Sequence, residues 1–111
     1  MNPLPRYEEA VIPLEKFTGY ALNPVADPDK AISFYIALGY YKGNASMLIA
    51  NIRHNLSKYP AIPKGDKGYG MRYEVVMWLT GPNGKVAKVL TGWIDDIRNG
   101  EMRLTTVHVD K

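Results

Sequence analysis

Apolar residues in the first half of the chain recur at the spacing of amphipathic helices. The segment "DPDKAISFYIALGY" (27–40) predicts one such helix, with Asp27 as its N-cap and Pro28 at its first position. Gly39 is the expected left-handed stop. The apolar stripe of this helix, at i, i+3, i+4 and i+7, comprises Ala31, Phe34, Tyr35 and Leu38.

A second amphipathic helix is predicted over residues 44–59, with Asn44 as its cap. The buried stripe expected there comprises Leu48, Ile49, Ile52 and Leu56. Ahead of both helices, residues 10–28 favour a short extended piece and then one or two helical turns from Pro13. Amphipathic helices need an apolar surface to cover, so the second half of the chain should supply one.

The second half alternates in the manner of half-buried strands. Segments 71–79 and 85–94 flank "TGPNG", a strong hairpin signal. A two-residue loop would leave Pro82 in the ladder without an N–H to donate, so we prefer a three-residue loop with Gly84 in the left-handed position. In that register one face carries the apolar side chains that should receive the helices: Tyr73, Val75, Met77, Leu79, Ala87, Val89, Thr91 and Trp93.

The opposite face of this hairpin is mixed and is the candidate working surface. It carries Glu74, Val76, Trp78, Lys88 and Leu90. A turn at residues 98–101 returns the chain as a final strand over 102–109. The prediction is one α+β domain over residues 1–111, with N-terminal helices packed on one face of a three-stranded antiparallel β-meander.

Composition narrows the function only slightly. The 14 Lys and Arg residues exceed the 11 Asp and Glu residues, a net charge of +3 that favours polyanions mildly. The absence of cysteine excludes disulfides, thiolate catalysis and cysteine-type zinc sites. His54 and His108 are isolated, so we expect no metal and no cofactor. We expect neither a signal peptide nor a membrane-spanning segment.

The final strand carries a cation, two hydroxyls and a histidine, where a purely structural strand could have used apolar residues. Strict alternation would place Arg103 and Thr105 on one face and Thr106 and His108 on the other, unless a bulge intervenes. A guanidinium can bind a phosphate through two N–H groups, and a histidine can carry a proton near neutral pH. The alternatives are a solvated surface arginine, packing threonines and an incidental exposed histidine.

Two further clusters could contact a nucleic acid. The loop predicted over residues 58–73 interleaves tyrosines with cations, among them Lys64, Lys67 and Arg72, as single-stranded nucleic acid requires. Lys16 and Tyr20 lie at i and i+4, on one side of a short helix. The alternatives are a solvated loop and a surface lysine beside a half-buried tyrosine. Together with Trp78 and Lys88, these residues are the candidates for substrate binding.

Several chemistries lack their motifs. No GxxxxGK[ST] or GxGxxG phosphate loop is present. Attack of an RNA 2′-hydroxyl on its own phosphodiester remains, because it needs only proton transfer, positioning and cationic support. The candidates for that reaction are Arg103, Thr105, Thr106, His108 and Lys16. The alternatives are a non-catalytic module that binds nucleic acid or protein, and a toxin with a target other than RNA.

Four stretches in the same order, "AVIPLEKFTGYALNP", "KAISFYIALGY", "GPNGKVAKVLTGWI" and "RLTTVHV", resemble an uncharacterised family of small bacterial domains. Such domains occur at the C-termini of contact-dependent growth inhibition proteins and other polymorphic toxins. The resemblance covers about residues 6–109. The chain departs from it at Leu90, where relatives tend to have Arg, and at His108, where they often have an aromatic residue.

The resemblance implies a fold and a biological role. The fold would be the helix-plus-antiparallel-sheet arrangement of barnase, colicin nucleases and mRNA interferases. The function would be a secreted or cell-surface-delivered toxin acting on RNA, often tRNA, in the target-cell cytoplasm, with a cognate immunity protein as partner. The positions in matching motifs are Lys16, Tyr20, Arg103, Thr105 and Thr106. If His108 is not general to the family, Lys16 or a tyrosine is the alternative proton carrier.

Overall fold

A computed structural model describes residues 2–110 of the chain. Its two α-helices are α1, Pro28–Leu38, and α2, Ala45–Asn55. Its four strands are β1, Ile62–Asp66; β2, Met71–Thr80; β3, Val86–Asp96; and β4, Glu101–Val109. Short helical segments span Tyr7–Glu9, Phe17–Ala21, Lys42–Asn44 and Leu56–Lys58. The strands form one antiparallel sheet in the order β1-β2-β3-β4, and the α+β prediction is confirmed.

The end signals of α1 are confirmed. The Asp27 side chain accepts a hydrogen bond from the Lys30 N–H at 3.2 Å, and Gly39 stops the helix with φ 86°. The predicted burial of Tyr35 is wrong, because this side chain is 61% exposed. The buried stripe is narrower than predicted, since the buried residues of α1 are Ala31, Phe34 and Leu38.

The Asn44 side chain does not cap α2 as predicted. Its amide instead closes the preceding turn, accepting from the Tyr41 N–H at 2.8 Å and donating to the Gly39 carbonyl at 3.1 Å. The stripe of α2 is otherwise as predicted, with Leu48, Ile52 and Leu56 buried and Ile49 packed at its margin. The last turn over Leu56–Lys58 is a 3₁₀ helix.

The β2–β3 hairpin has the predicted three-residue loop. Thr80 pairs with Val86, and the Gly84 N–H bonds to the Gly81 carbonyl at 3.0 Å. Gly84 has φ 82°, the left-handed conformation that the turn requires. Because the loop is as predicted, the register and the sidedness of both strands follow from it.

The apolar face of the sheet, here called the inner face, is the core. Val75, Met77, Leu79, Val89 and Trp93 are buried there, with α1 lying over β3 and β4 and α2 over β2. Thr91 is a buried polar side chain on this face, and its hydrogen bonds are satisfied. The Thr91 hydroxyl donates to the Val75 carbonyl at 2.7 Å and accepts from Trp93 Nε1 at 2.8 Å. The expectation that this face receives the helices is confirmed.

The sheet has four strands, so the predicted three-stranded meander is wrong. The additional strand β1 lies inside segment 58–73, which we had interpreted as a loop. Every residue of β1 is exposed, so it lacks the apolar alternation that marks a strand. It pairs with β2 through its backbone and stands at the edge of the sheet, where Pro63 is tolerated.

The N-terminal segment runs beside β4 at the edge of the sheet. Val11 donates its N–H to the Met102 carbonyl at 2.7 Å and accepts from the Leu104 N–H at 2.9 Å. This bridge, together with the helical segment Phe17–Ala21, agrees with the predicted extended piece followed by helical turns. The free edge of β4 is therefore partly covered.

Candidate functional site

The side of the sheet that carries no helices, here called the outer face, collects most of the predicted site residues. On β2 it comprises Arg72, Glu74, Val76 and Trp78, and on β3 Lys88, Leu90, Gly92 and Ile94. On β4 it comprises Arg103, Thr105, Thr106 and His108. The register assigns each position, because residues paired across an antiparallel ladder point to the same side.

A β-bulge in β4 brings that strand's polar residues to one side. Gly92 pairs with Thr106 and Trp93 with Leu104, so Thr105 is an extra residue in β4. Leu104 and Val107 are both buried, whereas Thr105 and Thr106 between them are both exposed. The split expected from strict alternation therefore does not occur, and Arg103, Thr105, Thr106 and His108 share the outer face.

A second bulge lies opposite, in β1. Pro63 pairs with Tyr73 and Gly65 with Arg72, so Lys64 is the extra residue. Gly65 adopts φ 97°, which favours glycine. Bulges commonly redirect a side chain next to a functional site.

The two bulged residues line the same small pocket of about 210 Å³. Its walls also include Arg72, Glu74, Gly92 and Thr106, and the inward-facing Tyr73 and Trp93 border it. Adjacent strands lie about 4.8 Å apart, so β2 and β4 face each other across β3 at about 10 Å. The pocket thus joins the predicted basic segment to the predicted final strand.

Gly92 is the floor of this pocket. A Cβ at this position would lie 2.7 Å from Thr106 Cγ2 and 3.3 Å from Thr105 Oγ1. The two threonines therefore fold over β3 only because position 92 carries no side chain. Without a glycine here the pocket would be filled from below.

The charged groups of the pocket have few partners within the protein. Among residues 2–110, Lys64, Arg72 and Glu74 form no ion pair, and Arg72 Nε is buried without a hydrogen-bond partner. The one bond of the Arg72 guanidinium runs from Nη2 to the Lys64 carbonyl at 3.4 Å. A buried N–H without an acceptor favours an anionic ligand.

Two other predicted residues flank the pocket without lining it. His108 lies two residues beyond Thr106 on the same side of β4, opposite Leu90. Arg103 lies on the other side of the pocket, and its guanidinium bonds to Glu101 at 3.2 Å. The charge of Arg103 is therefore partly neutralised by Glu101, whereas Arg72 has no carboxylate partner among the described residues.

The remaining end of the outer face is aromatic. Lys88 Nζ lies 5.7 Å from the centroid of the Trp78 ring and 3.8 Å from Asp110 Oδ2. Trp78 is 56% exposed, and the chain's other tryptophan, Trp93, is 1% exposed. Trp78 and Lys88 thus lie on the same face of the sheet as the pocket, but they do not line it.

Three predicted residues do not belong to the outer face. Lys16 and Tyr20 belong to the helical segment that sends Phe17 and Ala21 into the core, and neither lines the pocket. Lys67 is exposed in the connection between β1 and β2. Of the other predicted cations, Lys64 and Arg72 line the pocket, and Arg103 and Lys88 lie on the outer face without lining it.

A second depression, of about 480 Å³, lies on the helix side. Its lining is almost wholly apolar and comprises Leu22, Pro24, Ala31, Ile32, Tyr35, Ile36 and Tyr41. It supplies no charged side chain, so the outer-face pocket is the candidate for chemistry. Within residues 2–110, no three His, Asp or Glu side chains cluster as metal ligands. No helix in the described part of the chain is long and apolar enough to cross a bilayer.

Four residues that line the pocket are not among the predicted site residues: Tyr73, Glu74, Gly92 and Trp93. The sequence predicts Tyr73 and Trp93 on the apolar face and Glu74 on the mixed face without a role, and it gives Gly92 only a place in a strand. A glycine within an otherwise β-branched and aromatic run is a sequence signal for close approach of another backbone or side chain. That signal could have identified Gly92, whereas the partner strand came from the tertiary structure.

The architecture is thus an α+β domain whose helix-free sheet face holds a small cationic pocket. The chain belongs to a family described as a domain of unknown function (DUF6883), whose profile matches residues 3–111. Comparison with curated proteins and with solved structures gave no match.

Proposed function

We propose that this chain is the C-terminal toxin domain of a bacterial contact-dependent inhibition system, and that it cleaves RNA without a metal ion. It would reach the target-cell cytoplasm as part of a larger secreted or cell-surface effector. Its partners would be an RNA substrate, with tRNA as the leading class, and a cognate immunity protein. A closer likeness to the fold of barnase, colicin nucleases and mRNA interferases belongs to the same proposal.

The observation that carries this proposal is the pocket between the two bulges. Lys64, Arg72 and the two threonines surround a glycine floor, and the cations have no carboxylate partner among the described residues. Guanidinium, ammonium and hydroxyl groups are phosphate ligands. A pocket of about 210 Å³ suits one phosphodiester with part of its sugar rather than a whole nucleotide.

The reaction needs one proton acceptor and one proton donor on opposite sides of the phosphorus. The O2′–P bond forms as the P–O5′ bond breaks, so a proton leaves the 2′-hydroxyl and another reaches O5′. We assign the role of proton acceptor to Glu74 and the role of proton donor to His108. Their backbones are separated by about 12 Å across the sheet, estimated from strand spacing and rise, which leaves room for a phosphodiester between the side chains.

The cations and hydroxyls would act on the phosphate itself. Arg72 and Lys64 would stabilise the additional negative charge of the phosphorane. Thr105 and Thr106 would position the non-bridging oxygens. Arg103 would contact the neighbouring phosphate rather than the reacting one, because Glu101 already binds its guanidinium.

The test is incubation of the purified chain with total RNA, with and without EDTA. We expect discrete fragments that persist in EDTA. Glu74→Gln, Arg72→Gln and His108→Ala should each lower the rate by about 10²- to 10³-fold, and Arg103→Gln by less. Arg53→Gln is the matched control, because Arg53 lies on α2 in the helix layer. Intact RNA in the presence of correctly folded protein would reject the proposal.

A non-catalytic module that binds single-stranded nucleic acid is the second candidate. The exposed Trp78 ring beside Lys88 favours it, because an aromatic platform and a cation are sufficient for binding. Such a module would bind RNA with strong salt dependence and leave it uncut. Its affinity would fall by graded amounts on substitution of Arg72, Arg103 or Lys88.

A further inference from the structure

The Trp78 side chain is exposed on the outer face and does not pack into the hydrophobic core. It stands at the end of the outer face away from the pocket, with Lys88 Nζ 5.7 Å from its ring centroid. Its backbone is held in place, since the Tyr59 hydroxyl donates to the Trp78 carbonyl at 3.2 Å. A large rigid ring on a firmly held strand is a suitable platform for another flat group.

The spacing between this ring and the pocket matches a run of nucleotides. Trp78 lies four residues along β2 from Glu74, which corresponds to about 13 Å at the rise of a strand. Successive nucleotides of a stacked strand advance by about 3.4 Å, and an extended strand advances further at each step. One neighbouring nucleotide therefore cannot bridge the two places, whereas two to four can.

The surface between the two places carries no lysine or arginine. The row that separates them consists of Val76, Leu90 and His108, two half-buried apolar side chains and an imidazole. Such a row suits a sugar or base edge better than a phosphate. The outer face thus runs from a cationic end, through an apolar strip, to an aromatic end, as in surfaces that bind single strands.

From this arrangement we propose that Trp78 stacks on an unpaired base two to four nucleotides from the phosphate held over Gly92. The inference rests on the proposed ribonuclease function for the role of the pocket. It adds the substrate class: single-stranded RNA, since the bases of a duplex are stacked on one another and leave no free face for the ring. Lys88 contacts the phosphate or base edge beside that base.

The experiment compares oligonucleotide length with substitution at Trp78. The probes are single-stranded RNAs of two, three, four and six nucleotides, carrying 2′-O-methyl groups throughout so that none can be cleaved by its own 2′-hydroxyl. Affinity is measured by titration of tryptophan fluorescence for the wild type and by calorimetry for all variants. Trp93 is buried and serves as the reference emission, which also reports whether each variant is folded.

We expect the hexanucleotide to quench Trp78 emission and the dinucleotide to leave it unchanged. Trp78→Ala should weaken hexanucleotide binding roughly 5- to 100-fold, the range for loss of one base stack, and leave dinucleotide binding unaltered. Trp78→Phe should restore most of the affinity. A hexanucleotide paired with its complement should bind the wild type no better than it binds Trp78→Ala.

The outcomes separate this inference from the ribonuclease proposal. Equal loss at both lengths, or no loss at either, overturns the stacking platform, as does duplex binding that depends on Trp78. Unmodified RNA that stays intact, while length-dependent binding through Trp78 persists, rejects the ribonuclease and keeps the platform. Cleavage that is insensitive to Trp78 at every length keeps the ribonuclease and rejects the platform.

Discussion

The two tryptophans of this chain occupy opposite faces of one sheet and mark two different ways of using a β-strand. Trp93 lies on the inner face, buried, with its indole N–H bonded to the Thr91 hydroxyl at 2.8 Å. Trp78 lies on the outer face, exposed, beside Lys88. The inner face is regular and apolar, whereas the outer face is polar and is interrupted by bulges in both β1 and β4.

Regular alternation builds the buried core of this sheet, and the interruptions of that alternation build the candidate site. Thr105 and Lys64 are both extra residues that no ladder partner requires. Each contributes to the pocket around Gly92. A bulge costs part of the local ladder and gains a redirected side chain, and here two such side chains converge on one pocket.

The largest expected change in stability is the difference between alanine substitutions at the two tryptophans. Trp93→Ala should lower the free energy of unfolding by about 3–5 kcal/mol, because it empties the centre of the core and removes the N–H that donates to the Thr91 hydroxyl. Trp78→Ala should change it by less than about 0.5 kcal/mol, as is usual for exposed positions. Urea unfolding followed by far-UV circular dichroism measures both. Similar losses for the two variants would contradict the assignment of faces.

A smaller effect is expected at the pocket floor. Gly92→Ala should lower the free energy of unfolding by about 1–3 kcal/mol, because the new methyl group overpacks against Thr106. It should also weaken oligonucleotide binding, since both threonines must move. Gly19→Ala is the control, because a Cβ there meets no atom within 4 Å. If Gly92→Ala were as stable as Gly19→Ala, the close approach of β4 to Gly92 would be wrong.

The smallest effect concerns acid stability at the β3–β4 turn. Hydrogen bonds from the Asn99 side chain, and then from the Arg98 and Asn99 backbone N–H groups, lower the pKa of Asp96 below its ordinary value of 3.8. The Asp96 carboxylate therefore stabilises the fold fully at pH values above the pKa that Asp96 has in the unfolded chain. That contribution is lost as the pH falls below 3.8 through the lower folded value.

Thermal unfolding at a series of acidic pH values tests this sign. The wild-type melting temperature should fall as Asp96 becomes protonated, and Asp96→Asn should flatten that part of the curve. Nuclear magnetic resonance titration of the Asp96 carboxyl provides the direct value. A midpoint above 3.8 would contradict the lowered pKa.

Local signals accounted for most of the fold. The cap of α1, its glycine stop and the three-residue hairpin loop each follow from a residue and its immediate neighbours. The register of β2 and β3 follows from that loop, and with it the whole inner face. The strand β1 could not be predicted in this way, because an exposed edge strand is held by backbone hydrogen bonds that leave no apolar pattern.

The candidate site was predictable residue by residue but not as an arrangement. Lys64 and Arg72 were named from their chemistry, and Thr105 and Thr106 from their chemistry and the family resemblance. The tertiary structure brings all four to one pocket. Lys16 and Tyr20 were named in the same way and lie elsewhere. Glu74 was predicted on the mixed face but was given no role, because a single carboxylate in a strand has no local feature that separates it from a solvated side chain.

The sequence by itself therefore determined which side chains are apolar, where the helices start and stop, and how one hairpin closes. These depend on interactions between residues close in the chain, which local patterns record. Only the tertiary structure decided that β4 bulges at Thr105 and that β1 pairs with β2, because both depend on backbone contacts between distant segments. That pairing places Lys64 and Arg72 across Gly92 from Thr105 and Thr106, and so defines the candidate site.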